Sequence, residues 1–380
     1  MALLTKAAKY DIKDSNIALL GSDIEKRVRQ HAGDGEPAWA DAGQKPGLEI
    51  WRVENFAIVA WPQERYGTFY DGDSYIVLNT YRITDDAPLS FDLHFWLGEE
   101  TSQDEAGTAA YKTVELDDHL QGLPTQYREV QGQESSRFLS HFPHLVSLHG
   151  GISTGFHHVS SPPPAGKRLY KISATSSPGR GRAHLAIREI PSDGLVTLIQ
   201  GCVYVLDKGE ELWQFNTKTS TGQEKFKAAA FVQSMEDQRE GRCKVEVYDE
   251  GTSGSDAFQS ELGASLELDE PALTSGLPPK LFRLRNDDEN IPYEPVALQN
   301  ESLISEEVLL LDDYHNPNHP IIYVWLGSST GSAERGLALQ YAQKYLHEKQ
   351  ANEGNHIRVS VPLVKIVQGR EPTEFLAAFG

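Results

Sequence analysis

Gly72-Asp-Ser-Tyr-Ile-Val-Leu, Gly201-Cys-Val-Tyr-Val-Leu-Asp and Glu306-Glu-Val-Leu-Leu-Leu-Asp are three versions of one segment. Each is a nearly continuous apolar run, as a strand buried on both faces of a sheet requires. Outward from each run the same order of elements recurs, and such self-similarity decides the fold. A short amphipathic strand comes before it: Leu48-Glu-Ile-Trp-Arg-Val, Arg168-Leu-Tyr-Lys-Ile or Lys280-Leu-Phe-Arg-Leu. An aromatic-rich strand follows: Phe91-Asp-Leu-His-Phe-Trp-Leu-Gly, Glu211-Leu-Trp-Gln-Phe or Ile321-Ile-Tyr-Val-Trp-Leu-Gly. Turn residues such as Asp85-Asp-Ala-Pro and Asn316-Pro-Asn-His-Pro separate the two.

A helix is predicted next in each unit, over roughly 103–120, 223–238 and 333–350. A last strand and a short helix close the unit, with Cys243-Lys-Val-Glu-Val-Tyr and His356-Ile-Arg-Val-Ser-Val as the clearest strands. The predicted fold is therefore α/β (α+β): three tandem repeats, each a central mixed sheet between a long and a short helix. The period is roughly 110–130 residues, an ordinary domain size. The expected units are an extension at 1–44 and repeats at 45–157, 168–262 and 280–380. Proline-rich linkers, Ser160-Ser-Pro-Pro-Pro-Ala-Gly and Leu268-Asp-Glu-Pro to Leu277-Pro-Pro, are expected to be extended and stiff.

The 380 residues carry a net charge of −20, which argues against binding nucleic-acid phosphates. Two cysteines, Cys202 and Cys243, show no metal or redox spacing and read as reduced thiols. No apolar run approaches the roughly 20 residues that span a bilayer, and the N-terminus lacks a signal-peptide core. A soluble, intracellular protein is expected. His157-His158 lacks the further ligands a zinc site needs. Neither a phosphate loop nor a nucleophile elbow occurs, so an enzyme is not expected.

The carboxylates form a pattern. Asp73 follows Gly72 at the start of the central strand, and Glu105 opens the helix. Strand and helix carboxylates with backbone carbonyls suit calcium, a hard cation. The pattern recurs as Glu306, Glu307 and Glu334 in the third repeat. In the second, Gly201 and Glu224 recur but Cys202 replaces the Asp; a thiol is a poor calcium ligand, so a site there would need Asp249 or Glu250 to compensate. Acidic residues at a helix start also serve the helix dipole without any metal.

Wound at 3.6 residues per turn, the first long helix carries two apolar stripes. Ala109, Thr113, Leu116 and Leu120 face the sheet; Ala106, Ala110, Val114 and Asp117 form the second. One stripe is enough for packing on a sheet, so the second either inserts into a partner's groove or is covered by the domain's own loops. Lys167, Arg168, Lys171, Arg180, Arg182 and Arg188 are a basic cluster in an acidic chain, either a binding strip for acidic surfaces or lipid headgroups or a solvated face.

These segments carry a resemblance. Gly47-Leu-Glu-Ile-Trp-Arg-Val-Glu-Asn-Phe, Tyr66-Gly-Thr-Phe-Tyr-Asp-Gly-Asp-Ser-Tyr-Ile-Val-Leu, Leu93-His-Phe-Trp-Leu-Gly, Ser102-Gln-Asp-Glu, Glu115-Leu-Asp-Asp-His-Leu, Arg128-Glu-Val-Gln-Gly and Gly150-Gly-Ile-Ser-Thr-Gly-Phe resemble, in order, the first domain of the gelsolin–villin superfamily. The match covers about 45–380 and is nearest the three-domain severin and fragmin branch; the second and third repeats match more loosely. The resemblance implies a calcium-dependent actin-binding protein that severs filaments and caps barbed ends, and leaves nucleation of assembly open. The alternative is a calcium-responsive side-binding or bundling scaffold that does not sever. One Ca2+ would be held by Gly72, Asp73, Glu105 and Ile152. A second, shared with actin, would be held by Asp117, Gly122 and Pro124. The second repeat would bind the filament side, and the basic segment would serve there and toward phosphatidylinositol bisphosphate. The third repeat would hold the molecule closed. A cytoplasmic, cytoskeletal monomer is implied, with actin monomers and filament ends as partners.

Overall fold

The computed structural model describes residues 36–152, 166–175, 184–192, 196–252, 254–267, 277–284, 293–316, 320–354 and 357–380. Most of the two expected linkers, His157-His158, Arg180 and Arg182 lie outside the described residues.

The first repeat runs β1 (Gly47–Glu54), β2 (Ala57–Ala60), β3 (Thr68–Tyr70), β4 (Ser74–Tyr81), β5 (Ser90–Leu97), α1 (Gln103–His119), β6 (Thr125–Val130), α2 (Ser136–Ser140) and β7 (Leu145–Leu148). The second runs β8 (Arg168–Thr175), β9 (His184–Ile190), β10 (Thr197–Ile199), β11 (Val203–Asp207), β12 (Glu211–Asn216), α3 (Gly222–Gln238), β13 (Lys244–Asp249), α4 (Ser255–Leu262) and β14 (Ser265–Glu267). The third runs β15 (Lys280–Leu284), β16 (Tyr293–Val296), β17 (Val308–Asp313), β18 (Ile321–Leu326), α5 (Ser332–Glu353), β19 (Leu363–Val367) and α6 (Thr373–Leu376). The three apolar runs become β4, β11 and β17, each bordered on both sides by antiparallel partners. That double burial is why these runs do not alternate with polar residues.

Residues 357–361 of the expected His356–Val361 strand form no strand, and His356 lies outside the described residues; the closing strand is Leu363–Val367. Pro362 has no N–H to give a ladder, and Ile357 and Val361 are buried as loop side chains. Their alternation reflects packing of a loop and not a pleat.

Two large sheets organise the described residues, beside a two-stranded one, β10-β14. The larger has ten strands in the order β16-β15-β17-β18-β19-β6-β5-β4-β1-β2. Read from its middle it is palindromic: the third repeat's sheet and the first repeat's sheet meet edge to edge. The seam is antiparallel, with Leu363 opposite Arg128, Val364 opposite Tyr127 and Lys365 opposite Gln126. Apolar clusters cross the seam on both faces. On one, Ala106, Ala110 and Val114 of α1 share a core with Ala338, Leu339 and Leu346 of α5. On the other, Tyr127 packs with Trp325, Val364 and Phe375. The second sheet runs β13-β12-β11-β8-β9-β7-β3, so two strands of the first repeat extend the sheet of the second.

Glycines close the same corner in the first and third repeats. A Cβ on Gly98 would lie 2.1 Å from the carbonyl oxygen of Asp71, and one on Gly327 would lie 2.1 Å from that of Ser305. Neither backbone contact can yield as a flexible side chain would. Gly98→Ala and Gly327→Ala are each expected to cost about 3 kcal/mol, the upper end of ordinary overpacking; scanning calorimetry showing unchanged unfolding temperatures would contradict this.

Candidate metal pocket and interface helix

Strand register sets the same two positions together in every repeat. Arg52 faces Tyr75, Lys171 faces Tyr204 and Arg283 faces Leu309. Two residues before each of those partners stands Asp73, Cys202 or Glu307. The carbonyl of that residue accepts an N–H from Gly98, Thr217 or Gly327, at 3.0, 3.3 and 3.0 Å.

In the first repeat the Asp73 side chain is wholly buried. Arg52 Nη2 lies 2.6 Å from its Oδ2, and the Tyr75 hydroxyl donates to the same oxygen at 3.2 Å. The Ile152 N–H donates to Oδ1 at 2.9 Å. Gly151 lets this loop come so close: its φ is +153°, and a Cβ would lie 2.7 Å from Oδ1. Asp71 anchors the loop by accepting the Gly150 N–H at 2.9 Å and pairing with His149 Nδ1 at 2.9 Å.

Glu105 completes the pocket from the third position of α1, its amide capped by Ser102 Oγ at 3.2 Å. The residue is buried, and its Oε1 has no hydrogen-bond partner. Burial, then the charge of Asp73, raise its pKa to about 7. Burial also raises that of Asp73, against the pull of Arg52. An orphaned buried carboxylate oxygen beside a second carboxylate is an all-oxygen donor set that fits a hard divalent cation. Arg52 supplies the balancing charge in this conformation. Among the described residues no three His, Cys, Asp or Glu side chains converge as a metal cluster, so the further donors would be backbone carbonyls, those of Gly72 and Ile152 among them.

The second repeat spends its carboxylates differently. Glu224 Oε1 accepts the Ala174 N–H at 2.9 Å and Oε2 accepts the Thr221 N–H at 2.7 Å, a complete capping box. Glu250 Oε2 accepts from the Lys218 N–H at 2.6 Å and Gln200 Nε2 at 2.7 Å. Cys202 is buried, and Gly201 before it turns the chain at φ +80°. Both oxygens of Glu224 thus accept backbone N–H groups, whereas Glu105 in the same position keeps Oε1 without a hydrogen-bond partner. In the third repeat Arg283 Nε lies 2.8 Å from Glu307 Oε1, while Oε2 is buried without a hydrogen-bond partner. Glu306 is exposed, and the Glu334 side chain lies outside the described residues.

Both stripes of α1 are buried. Leu116 and Leu120 pack with Ile76 and Leu78 of the sheet. Ala106, Ala110 and Val114 pack with the third repeat. Beside them Asp117 Oδ2 pairs with Lys365 Nζ at 2.9 Å, both side chains 7% exposed, and Asp117 Oδ1 has no hydrogen-bond partner. The Gly122 N–H caps α1 on the Asp117 carbonyl at 2.8 Å, and Pro124 follows, buried, at the foot of β6. Lys112 reaches Glu36 at 2.7 Å, and Glu115 accepts the Trp39 indole N–H at 3.1 Å, so the segment before β1 covers the remaining face.

Sequence reasoning missed Arg52 and Lys365. Lys365 is a lone cation in an otherwise apolar strand and Arg52 sits between Trp51 and Val53, and a cation so placed stays buried only when paired. The basic cluster is partly spent inside the chain. Lys167 pairs with Glu261, Arg168 with Glu189 at 2.6 Å and Arg188 with Glu134 at 2.8 Å, while Lys171 is half-buried on β8.

Glu105 holds a proton in the fold at pH values where the unfolded chain has lost it. Its stabilising share is therefore full below about pH 4.5 and is lost as pH rises through about 7. In chelator, Glu105→Gln is expected to remove that decline and to exceed the parent at pH 8 by about 1–3 kcal/mol. Urea melts at pH 5 and pH 8 with equal slopes for parent and variant would refute it.

Comparison with known proteins supplies the kinship. A family model described as Gelsolin repeat matches residues 57–139 and 289–376, in the first and third repeats. Gelsolin-like protein 1 of Lumbricus terrestris is 40% identical over 344 residues, spanning 87% of this chain and 89% of that protein. Gelsolin-like protein 2 of the same organism is 35% identical over 351 residues, 91% of this chain and 92% of that one. The cytoplasmic gelsolin of Homarus americanus is 36% identical over 90% of this chain, which spans 45% of its length. With the recurring strand register and carboxylate positions, near-full-length identity of this order means that the chain belongs to the gelsolin family.

Proposed function

We propose that this chain is a calcium-dependent actin-binding protein that severs filaments and caps their barbed ends, and that the conformation described above is its resting form. One observation carries the reading: the second stripe of α1 shares one core with α5 and β18 of the third repeat, and Asp117 at its end pairs with Lys365 of that repeat. Such a stripe is an interface already occupied, and occupation by the chain itself is autoinhibition. The family resemblance makes actin the partner whose cleft would take the stripe once the third repeat withdraws. In the domains proposed at 45–157, 168–262 and 280–380, the first would wedge between subunits. The second would hold the filament side, raising the effective concentration of the first. Binding, and no covalent step, does this work in the cytoplasmic actin cytoskeleton.

In the first repeat Gly72, Asp73, Glu105 and Ile152 would hold the ion. When bound, calcium supplies the positive charge that Arg52 supplies in the resting form. Asp73 would then release Arg52, which lies on β1 beside β4 and so couples the pocket to the sheet. Asp117, with the carbonyls of Gly122 and Pro124, would become available as Lys365 leaves. Phosphoinositide headgroups would have to compete for Lys167, Arg168 and Arg188 with the acids that now pair them. A side-binding role without severing has one observation in its favour: α3 of the second repeat is open, with Phe226 76% exposed, while α1 is covered.

Lys365→Met tests the proposal without touching the pocket. It leaves Asp117 buried and unpaired, a loss of about 3–5 kcal/mol that falls on the closed form alone. The calcium needed for half-maximal severing, read from filament lengths by microscopy, is expected to drop at least about tenfold. An unchanged calcium requirement would count against autoinhibition at this seam. Filaments that are decorated but never shortened, by parent or variant, would favour the scaffold.

A further inference from the structure

The sixth strand of the first repeat has counterparts in the other two. β6, β13 and β19 each lie parallel beside the aromatic-rich strand, β5, β12 or β18, and each ends its repeat's own sheet on that side. Two of the three satisfy one another, since β6 and β19 pair antiparallel across the seam. The third, β13, is an outer strand of the seven-stranded sheet, and among the described residues nothing pairs with its outer edge. The Lys244 N–H reaches the Glu210 carbonyl at 2.8 Å and the Glu250 N–H reaches that of Asn216 at 2.9 Å, so even-numbered residues bond inward. Alternation then turns the amides and carbonyls of Cys243, Val245, Val247 and Asp249 outward. Val245 is 37% exposed and Val247 56%. An open edge with exposed β-branched residues is a template for another strand.

We infer that β13 is a homodimerisation edge, on which the β13 of a second copy docks antiparallel about a two-fold axis. The inference is independent of the proposed activity. The occupant follows from the chain's own pairing: this repeat unit closes the same edge with a sister strand, and the sister strand left to the second repeat is that of another copy. An isologous pairing of this kind closes on itself and leaves no free edge. Charge selects the register. The seam's own register, transferred to β13, would set Glu246 against its own mate. With Val245 on the axis, Lys244 of each copy instead faces Glu246 of the other, twice, and Cys243 faces Val247. Opposite charges directly across a strand pair stabilise it and like charges oppose it.

Sedimentation velocity on the full chain in chelator, over micromolar to millimolar concentrations, tests this. The parent is expected to move from monomer to dimer as concentration rises. Val245→Lys puts two like charges on the axis and is expected to keep the chain monomeric, with a melting curve unaltered at concentrations where the parent is also monomeric, because the side chain is already part-exposed. Lys244→Glu is expected to do the same, and Lys244→Glu combined with Glu246→Lys to restore the dimer. A parent that stays monomeric throughout, a dimer indifferent to Val245→Lys, or a charge exchange that fails to restore it would each overturn the inference.

Discussion

A helix stripe can be buried only once at a time, and in this protein that constraint falls on α1. Asp117 and Lys365 lie 2.9 Å apart under the seam where β6 meets β19. Neither charge is tolerable there alone, because desolvation of an unpaired ion costs several kcal/mol. The pair therefore ties the third repeat's position to the state of the first repeat's helix. The ten-stranded sheet, the shared α1–α5 core and the Tyr127 cluster on the opposite face all depend on that registration.

The repeated scaffold carries three electrostatic solutions at one structural position. Arg52 meets Asp73, Arg283 meets Glu307, and Lys171 stands where the carboxylate has become Cys202. Helix carboxylates diverge in step with them. Where the strand acid is lost, Glu224 turns back onto the backbone, one oxygen capping its helix at Thr221 and the other accepting the Ala174 N–H of β8. Where it is kept, Glu105 retains a buried, unpartnered oxygen and a raised proton affinity. The first pocket thus stores an electrostatic imbalance that the second does not, and a scaffold of nearly identical hydrogen bonds confines the difference to a few side chains.

Most of the fold was legible because it rests on local periodicity. The runs at Gly72, Gly201 and Glu306 announce doubly buried strands, and the expected helices over 103–120 and 223–238 match Gln103–His119 and Gly222–Gln238 closely. The strand at Leu363–Val367 was hidden by Pro362 and by an alternating loop before it. The carboxylate positions were legible by repetition, but their cationic partners were not, since register between strands is not written in either strand alone. Nor was the seam: β6 reads as an ordinary amphipathic strand, and nothing in Thr125–Val130 names β19 as its neighbour. The swap of β3 and β7 into the second repeat's sheet was equally silent, because strands of three and four residues leave too little pattern.

The composition of the second α1 stripe explains why sequence left its partner undecided. Ala106 and Ala110 give the helix a narrow, flat face with no rotamers to freeze, so a neighbouring backbone can approach closely without bespoke complementarity. Such a face gains little free energy per residue on burial, because alanine removes little apolar area from water. A cover built on it binds well enough to exclude solvent yet can be exchanged at modest cost. Had the stripe been leucine or phenylalanine, the third repeat would be held by far more apolar area, and one ion pair would carry a small share of the balance. With alanine there, the polar pair at Asp117 gains weight beside the β6–β19 ladder and the Tyr127 cluster, which places part of the control of the helix in the electrostatics at its end.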